Sequence, residues 1–209
     1  MTAGQLIAGV DVSRETVDKL RFFEALVRRW TPAINLISPS SILDLWGRHV
    51  IDSAQLFHLL TKDSSSWLDV GSGAGFPGLV IAILAREKQP SLEVTLIESD
   101  QRKATFLREA ARQLSLECKV LAQRAETVPP IGADVLSARA FSSLSSLLPI
   151  ADRHLAASGT AIFPKGKTWR DEVEEARKGW SFTLDAVQSV SDEDAAILVL
   201  REIARVPHR

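Results

Sequence analysis

Four glycines that follow a short apolar stretch form the most informative motif of the chain. The stretch covers residues 67–70, and the glycines come within the next eight residues as Gly71, Gly73, Gly75 and Gly78. Glycine is needed where a backbone turns sharply and must approach a ligand closely. In open α/β sheets, ligands bind at the carboxyl ends of the strands, where such a turn lies. The motif therefore predicts a ligand-binding loop between a strand and a helix, since a merely tight turn would not need so many glycines.

Two nucleotide-binding patterns fit this loop. The glycines from Gly73 to Gly78 match the dinucleotide fingerprint, and Glu98 lies about 20 residues further on, where a ribose-binding acid is expected. When the pattern is read from Asp69 instead, the same loop matches the acidic-x-Gly-x-Gly-x-Gly pattern of S-adenosylmethionine binders. A dinucleotide needs an exposed helix N-terminus for its pyrophosphate, whereas S-adenosylmethionine carries an ammonium and a sulfonium, which favour nearby acids. The loop thus favours S-adenosylmethionine, with a dinucleotide as the alternative.

Three charged residues, Glu98 among them, lie at the ends of predicted strands. Glu98 ends the second strand, where its carboxylate could accept both ribose hydroxyls, and Glu126 follows the third strand, near the expected adenine. Arg139 follows the fourth strand and is predicted either to point into the ligand cleft or to pair with a neighbouring acid. A helix-capping role for Glu98 and a surface position for Glu126 are the alternatives.

Hydrophobic periodicity indicates the elements that position these residues. Residues 13–30 place one apolar stripe on a helix, which predicts that this helix ends before Pro32, and helical periodicity resumes over residues 43–60. A polar stretch at residues 61–66 marks a boundary. Beyond it, strands are predicted at 67–70, 93–97, 118–122, 133–137, 159–164, 182–190 and 196–204, with helices at 79–86, 100–114, 141–154 and 169–177.

This alternation predicts an α/β fold. A seven-stranded, mostly parallel sheet with helices on both faces is expected, because strands joined by helices pair in parallel. The last two strands lack an intervening helix, which predicts an antiparallel pair at one edge of the sheet. We therefore divide the chain into a helical N-terminal extension over residues 1–64 and a core over residues 65–209.

Several motifs together resemble the RsmG (GidB) family, which methylates N7 of one guanine in 16S ribosomal RNA of the small subunit. The matching segments are Asn-Leu-Ile at 35–37, Arg-His-x-x-Asp-Ser at 48–53, Leu-Asp-Val-Gly-Ser-Gly-Ala-Gly-Phe-Pro-Gly at 68–78 and Ser-Ala-Arg-Ala-Phe at 137–141. The glycine loop alone marks only the superfamily, while the segments at 48–53 and 137–141 are specific to the family. Pro32 departs from the pattern and affects only the end of the first helix.

The resemblance implies a Rossmann-like class I methyltransferase core and a set of cofactor contacts. It places Gly71, Phe76, Ala125, Glu126 and Arg139 at the cofactor, with the other glycines shaping the loop. Together with the residues named above, the predicted cofactor-binding set is Asp69, Gly71, Gly73, Gly75, Phe76, Glu98, Ala125, Glu126 and Arg139.

Arg48, His49 and Arg139 are the candidates for contacts on the substrate side. His49 and Asp52 lie one helical turn apart, so the Asp52 carboxylate is predicted to hold the imidazole. We expect this helix to face the cleft, with Arg48 or His49 contacting RNA phosphate or the flipped guanine; a helix-packing triad is the alternative. No residue is assigned as a general base, because guanine N7 offers a bare lone pair at neutral pH.

Other chemistries predict other residues. Methylation through carbon five of a pyrimidine needs a cysteine nucleophile, and Cys118 is predicted at the start of a strand, away from the cleft. Methylation of an exocyclic amine usually shows a polar-Pro-Pro-aromatic loop, and here that loop reads Ser-Ala-Arg-Ala from Ser137. An NAD-dependent oxidoreductase, a methyltransferase for another substrate and a cofactor-binding regulator without turnover remain the alternatives.

Composition limits the partners less than the motifs do. The chain has 209 residues, 45% hydrophobic and 24% charged, with a formal net charge of −1 that gives no support for RNA binding. Local basic groups matter more for phosphates; they are Arg28-Arg29, Arg48-His49, Arg102-Lys103 with Arg108 and Arg112, and Lys165-Lys167-Arg170. Solvated helix faces are the alternative for each of them.

The remaining expectations concern compartment and assembly. Cys118 is the only cysteine, which excludes an intrachain disulfide and a cysteine-based zinc cluster and fits a reducing cytoplasm. The longest apolar run, residues 79–85, is far shorter than the roughly 20 residues that cross a bilayer. The first residues lack the pattern of a signal peptide. We expect a cytoplasmic monomer that binds 16S ribosomal RNA or the small subunit, with no metal and no membrane partner.

Overall fold

The computed structural model describes residues 4–139 and 142–207. Its strands are β1 Gln5–Ile7, β2 Val10–Val12, β3 Ser66–Val70, β4 Glu93–Ile97, β5 Cys118–Leu121, β6 Ala133–Ala138, β7 Leu155–Lys165, β8 Trp180–Gln188 and β9 Ala196–Arg205. Its α-helices are α1 Arg14–Ile34, α2 Pro39–Ile42, α3 Asp52–Ala54, α4 Gly78–Lys88, α5 Gln101–Gln113, α6 Leu144–His154 and α7 Trp169–Ala176. A π-helix spans Trp46–Ile51, and 3-10 helices span Gln55–Leu59 and Ala125–Thr127.

Seven strands form one sheet in the order β5-β4-β3-β6-β7-β9-β8. The first five of these pair in parallel, and β9 runs antiparallel to both β7 and β8. Within this sheet, the chain first forms β3, adds β4 and then β5 on one side of it, and then returns to place β6 on the other side of β3. The carboxyl ends of β3 and β6 therefore meet where the strand order reverses, which is where open α/β sheets bind ligands. The predicted mostly parallel sheet and its antiparallel strand pair are confirmed.

Two hydrophobic cores cover the two faces of the sheet. Alternate residues of β3 point to opposite faces, so Trp67 packs in the first core and Leu68 in the second. Helices α1, α4 and α5 cover the first face, and α6 and α7 cover the second. The predicted apolar stripe of α1 lies inside the first core, where Leu20, Phe23 and Val27 are fully buried.

The first helix extends further than its sequence predicts. Pro32 lies inside α1, which runs to Ile34 rather than ending before the proline. Pro32 has no N–H and so removes one backbone hydrogen bond without ending the helix, which closes three residues later, where Asn35 adopts a left-handed conformation (φ 50°) and donates its backbone N–H to the Thr31 carbonyl over 2.9 Å. A two-stranded hairpin of β1 and β2, which the sequence did not predict, precedes the helix.

The segment predicted as one helix over residues 43–60 is divided into three short helices. A π-helix comes first, then α3, then a 3-10 helix, because the backbone changes its hydrogen-bond register twice. The helix predicted at 141–154 begins at Leu144, and Phe141 lies outside the described residues. Among the helices in the described ranges, none is long and apolar enough to cross a membrane.

Candidate functional site

The glycine loop folds over the end of the neighbouring strand β4. The backbone amides of Gly71 and Ser72 both donate to the Ile97 carbonyl, over 2.9 and 3.1 Å. Gly71, Gly73 and Gly75 have φ values of 67°, 52° and 89°, a region that side-chain-bearing residues rarely adopt. The predicted need for glycine at these three positions thus has a conformational cause, and the loop is held against Ile97, the last residue of β4.

Asp69 lies beneath this loop and is fully buried. Its carboxylate accepts from the Ser137 hydroxyl over 2.7 Å and from the Gly78 backbone amide, the first of α4, over 3.2 Å. Burial raises the pKa of Asp69 to about 6, against the effect of these hydrogen bonds. Asp69 is not among the residues that line the cleft described below; it connects β3, β6 and α4.

The position of Asp69 bears on the choice between the two nucleotides. A pyrophosphate would need the amides at the start of α4, and the Asp69 carboxylate already accepts from one of them. A Cβ atom at Gly78 would lie 2.8 Å from the same carboxylate, so close packing of helix on strand requires glycine there. The arrangement disfavours a dinucleotide.

Glu98 supplies the acidic wall of the site. It is 8% exposed, and its two carboxylate oxygens accept from the backbone amides of Gly73 and Asp100, each over 2.8 Å. These bonds fix the carboxylate at the end of β4 between the glycine loop and α5. Glu98 therefore lies at the end of β4, as predicted, and its bond to the Asp100 amide also fits the capping alternative, so its contact with a ribose stays a prediction.

Three cavities lie in a row along the carboxyl ends of the strands. The central cleft, of about 330 Å³, is lined by Leu36, Ile37, His49, residues 71–74, Phe76, Glu98, Lys103 and Arg139. A small cavity of about 80 Å³, lined by residues 123–126 among others, shares Gly71 with the cleft. An outer cavity of about 380 Å³ shares Arg139 with the cleft and is lined also by Arg48, Asp52, Ser142, Lys165 and Ser191.

Arg139 joins the helical segment before the sheet to the end of β6. Its guanidinium contacts His49 Nδ1 over 2.7 Å, donates to the Arg48 carbonyl over 2.6 Å and forms an ion pair of 3.1 Å with Asp52. Both sequence alternatives for Arg139 therefore hold, since it lines the cleft and also pairs with an acid. The prediction that the Asp52 carboxylate holds the His49 imidazole is wrong, because Arg139 lies between the two side chains and contacts each.

His49 is held as a neutral imidazole. Burial, with Arg139 and Arg48 nearby, lowers its pKa from 6.5 to about 4. The ring stacks on Phe76, with 5.0 Å between centroids and an interplanar angle of 27°. The structure thus brings His49, Phe76 and Arg139 to one wall of the cleft, while Arg48, the adjacent residue, lines the outer cavity.

Ala125 and Glu126 form part of the small cavity. Ala125 is buried, and its carbonyl accepts from Nε2 of the fully buried His154 over 2.9 Å. Arg153 reaches the Val128 carbonyl with two nitrogens, over 3.1 and 2.9 Å. The end of α6 therefore holds both ends of the turn that carries Ala125 and Glu126, a connection that sequence spacing did not indicate.

Most of the predicted basic clusters are engaged within the protein. Side-chain ion pairs join Arg28 to Glu24, Arg102 to Asp100, Arg112 to Glu109 and Lys165 to Glu172. Arg170 lies over the Trp169 ring at 4.3 Å. Arg48 is exposed in the outer cavity and Lys103 lines the cleft, and no ion pair of either is found in the described part of the chain.

Sequence reasoning missed some lining residues and placed Cys118 correctly. Leu36, Ile37 and Lys103 line the cleft; the Asn-Leu-Ile segment gave the signal for the first two, and Lys103 was named only within a basic group suited to phosphates. Cys118 lines a cavity at the amino ends of β4 and β5, and burial raises the pKa of its thiol to about 12. Within residues 4–139 and 142–207, no group of three or more His, Cys, Asp and Glu residues could hold a metal ion.

Comparisons with known proteins point to one family. The model of the GidB family, described as rRNA small subunit methyltransferase G, matches residues 16–198. A relative from Ruegeria pomeroyi named ribosomal RNA small subunit methyltransferase G is 48% identical over 197 residues, covering 94% of this chain and 96% of the relative. A relative of the same name from Rhodospirillum centenum is 51% identical over 197 residues, covering 94% and 89%.

Solved structures support the same fold at low sequence identity. A TehB-like SAM-dependent methyltransferase from Corynebacterium glutamicum aligns with a TM-score of 0.56 at 17% identity, covering 87% of this chain and 98% of that one. The T. thermophilus 16S rRNA N2 methyltransferase RsmC, solved with AdoMet and guanosine, aligns with a TM-score of 0.55 at 13% identity, covering 75% and 40%. At these identities the likeness shows the class I methyltransferase fold.

Proposed function

Since this chain belongs to the GidB family of rRNA small subunit methyltransferases G, we propose that it transfers a methyl group from S-adenosylmethionine to N7 of a guanine in 16S ribosomal RNA. The observation that carries the proposal is the row of cavities, in which Arg139 separates a cleft walled by Glu98 from an outer cavity open to a second substrate. We also propose that residues 1–64 act as an extension that supplies the substrate-side residues Arg48 and His49 to a core over residues 65–209.

The residues of the cleft fit the cofactor. Glu98 holds a carboxylate beside Gly73, suited to the two ribose hydroxyls, and the turn at Ala125 and Glu126 lines a small cavity suited to adenine. Gly71 lies between the two spaces, where a side chain would obstruct a bound nucleoside. When bound, S-adenosylmethionine supplies a methyl group on a sulfonium, which the lone pair of guanine N7 takes as the sulfonium becomes a neutral thioether.

The chain's own residues contribute positioning to this reaction. Guanine N7 carries no proton at neutral pH, so the protein needs to hold the reacting atoms in line, and this positioning supplies most of the acceleration. Arg139 is fixed by His49 and Asp52 at the junction between the cleft and the outer cavity. Cys118, at the amino ends of the strands, takes no part.

RNA contact is assigned to the outer cavity. Arg48 is an exposed cation at its wall, next to the Arg139 that faces the cleft. A guanine reaches such a site only from a loop or after leaving its stack. We place the protein in the cytoplasm with its ribosomal substrate.

Two measurements test the function. Calorimetry should detect S-adenosylhomocysteine binding and no NAD binding; the reverse result would support the dinucleotide alternative. Labelled S-adenosylmethionine should then transfer its methyl group to 16S ribosomal RNA from a strain lacking the enzyme, and mass mapping should find one N7-methylguanine. Cofactor binding without transfer to 16S ribosomal RNA would leave a methyltransferase for another substrate and the regulatory protein as the alternatives.

A further inference from the structure

His49 carries a hydrogen-bond donor that finds no acceptor in the described part of the chain. A guanidinium can only donate, so Nδ1 of His49, 2.7 Å from Arg139 Nη1, must accept. A neutral imidazole that accepts at Nδ1 carries its proton on Nε2. That Nε2 atom is enclosed and without a hydrogen-bond partner in residues 4–139 and 142–207. Buried donors are nearly always paired, so this one is suited to an acceptor on a ligand, which reaches Nε2 when binding displaces the atoms that now cover it.

The imidazole lies at the junction of the two larger cavities. His49 lines the central cleft, Arg48 lines the outer cavity, and Arg139 lines both. Phe76 stacks on the imidazole and Arg139 fixes Nδ1, so both the plane of the ring and its tautomer are set before a ligand binds. A base that enters from the outer cavity and points its reactive edge at the cleft would meet this ring.

We propose that Nε2 of His49 donates to O6 of the acceptor guanine and so distinguishes guanine from adenine; this inference rests on the proposed function. N7 and O6 lie side by side on one edge of guanine and both accept hydrogen bonds. Adenine presents N7 beside an N6 amine, which is a donor. An obligatory N–H donor next to the methyl-accepting nitrogen pairs with guanine and leaves adenine with two opposed donors. A site built to bind one polar group rejects an analogue that lacks it.

A cycle of protein and RNA substitutions tests this contact. The RNA is 16S ribosomal RNA ligated from synthetic pieces, with guanine or 2-aminopurine at the methylated position; 2-aminopurine keeps N7 but lacks O6. The protein is wild type, His49→Phe, which keeps a ring against Phe76 but removes the donor, or His49→Gln, whose amide restores one. We expect His49→Phe to lower kcat/KM on the guanine RNA about tenfold and to change it little on the 2-aminopurine RNA, with partial recovery in His49→Gln.

Other outcomes would reject the inference in recognisable ways. An equal loss on both RNAs would mean that His49 only shapes the cleft. Weaker S-adenosylhomocysteine binding in His49→Phe would mean that Nε2 contacts the cofactor instead. Because the decisive quantity is a ratio between two RNAs, a partly destabilised variant still gives an answer. Wild-type protein that leaves the guanine RNA unmethylated would reject the proposed function itself, and the inference with it.

Discussion

Arg139 and Asp52 form an ion pair of 3.1 Å across the boundary between the helical segment and the sheet. The other oxygen of Asp52 accepts from the Ser191 hydroxyl over 2.7 Å and from the Gln55 side chain over 2.8 Å. One carboxylate therefore joins the end of β6, the helices before β3 and the turn between β8 and β9. These three elements surround the outer cavity, so its shape depends on Asp52.

Replacing Asp52 with Ala should destabilise the protein markedly. The side chains of Arg139 and Asp52 are only 18% and 13% exposed, so the variant leaves a guanidinium largely buried without its counter-ion. We expect a loss of roughly 3 kcal/mol in the free energy of unfolding, measured with urea. The matched control is Asp185→Ala, which removes an exposed pair with Arg201 and should cost less than about 1 kcal/mol. Equal losses in the two variants would contradict the role given to Asp52.

Asp69 should make stability depend on pH. Its pKa in the folded state, about 6, lies above the ordinary value of 3.8, so the folded protein binds this proton more tightly than the unfolded chain. The contribution of Asp69 to stability is therefore greatest at low pH and falls as the pH rises from about 4 to 6. Asp69→Asn lacks this titration. Its destabilisation relative to wild type should be smaller at pH 7 than at pH 4.5, by about 2 kcal/mol in urea titrations. The same difference at both pH values would show that Asp69 titrates normally.

The fold was largely readable from the sequence because its strands and long helices are periodic. The strand at 93–97 was predicted with the bounds observed for β4. The glycine loop was predicted at the carboxyl ends of the strands, and it lies there, against the end of β4. The elements that the sequence did not predict are short ones. Each strand of the β1–β2 hairpin has three residues, too few to show a period. The π-helix covers only six residues, too few for their apolar spacing to distinguish it from an α-helix.

The site was predicted as a set of residues but not as a network. Glu98 and Glu126 follow their strands and line cavities, as spacing indicated. Spacing could not show that Asp69 is buried beneath the glycine loop and does not line the cleft, because a residue at a strand end can be either buried or exposed. It also could not show that Arg139 separates His49 from Asp52, since that contact joins residues 90 positions apart. Local sequence carries little information about such pairings.

Glu98→Gln should weaken cofactor binding strongly, although it only replaces a carboxylate with an amide of the same size. Both oxygens of Glu98 accept from backbone amides, and the amide nitrogen of Gln would face one of those donors. The glycine loop then loses a hydrogen bond, and we expect affinity for S-adenosylhomocysteine to fall about tenfold by calorimetry. Glu93→Gln, at the exposed opposite end of β4, is the control and should bind normally. Normal binding by the Glu98 variant would exclude this wall as a ribose site.

His154 should act on the adenine side of the site from beneath it. Its Nε2 atom reaches the Ala125 carbonyl in a fully buried position, so His154→Leu releases the turn that carries Ala125 and Glu126. S-adenosylhomocysteine affinity should fall about tenfold, and preference for adenine over hypoxanthine in the ligand should fall with it. His58→Leu removes a similar bond of 2.9 Å to the Ala8 carbonyl at the exposed hairpin and should change neither quantity. A variant with lower stability but unchanged preference would limit His154 to a packing role.

Arg48 should contact RNA without contributing to cofactor binding. Its side chain is exposed in the outer cavity, while its carbonyl, which accepts from Arg139, is retained in Arg48→Ala. If the guanidinium neutralises one phosphate, the variant should bind RNA more weakly and its plot of log affinity against log salt should be shallower by about 0.7 to 0.9. Arg14→Ala, at an exposed position on α1, is the charge-matched control and should keep the wild-type slope. An unchanged slope, or weaker S-adenosylhomocysteine binding, would place Arg48 among the residues that merely support the cleft.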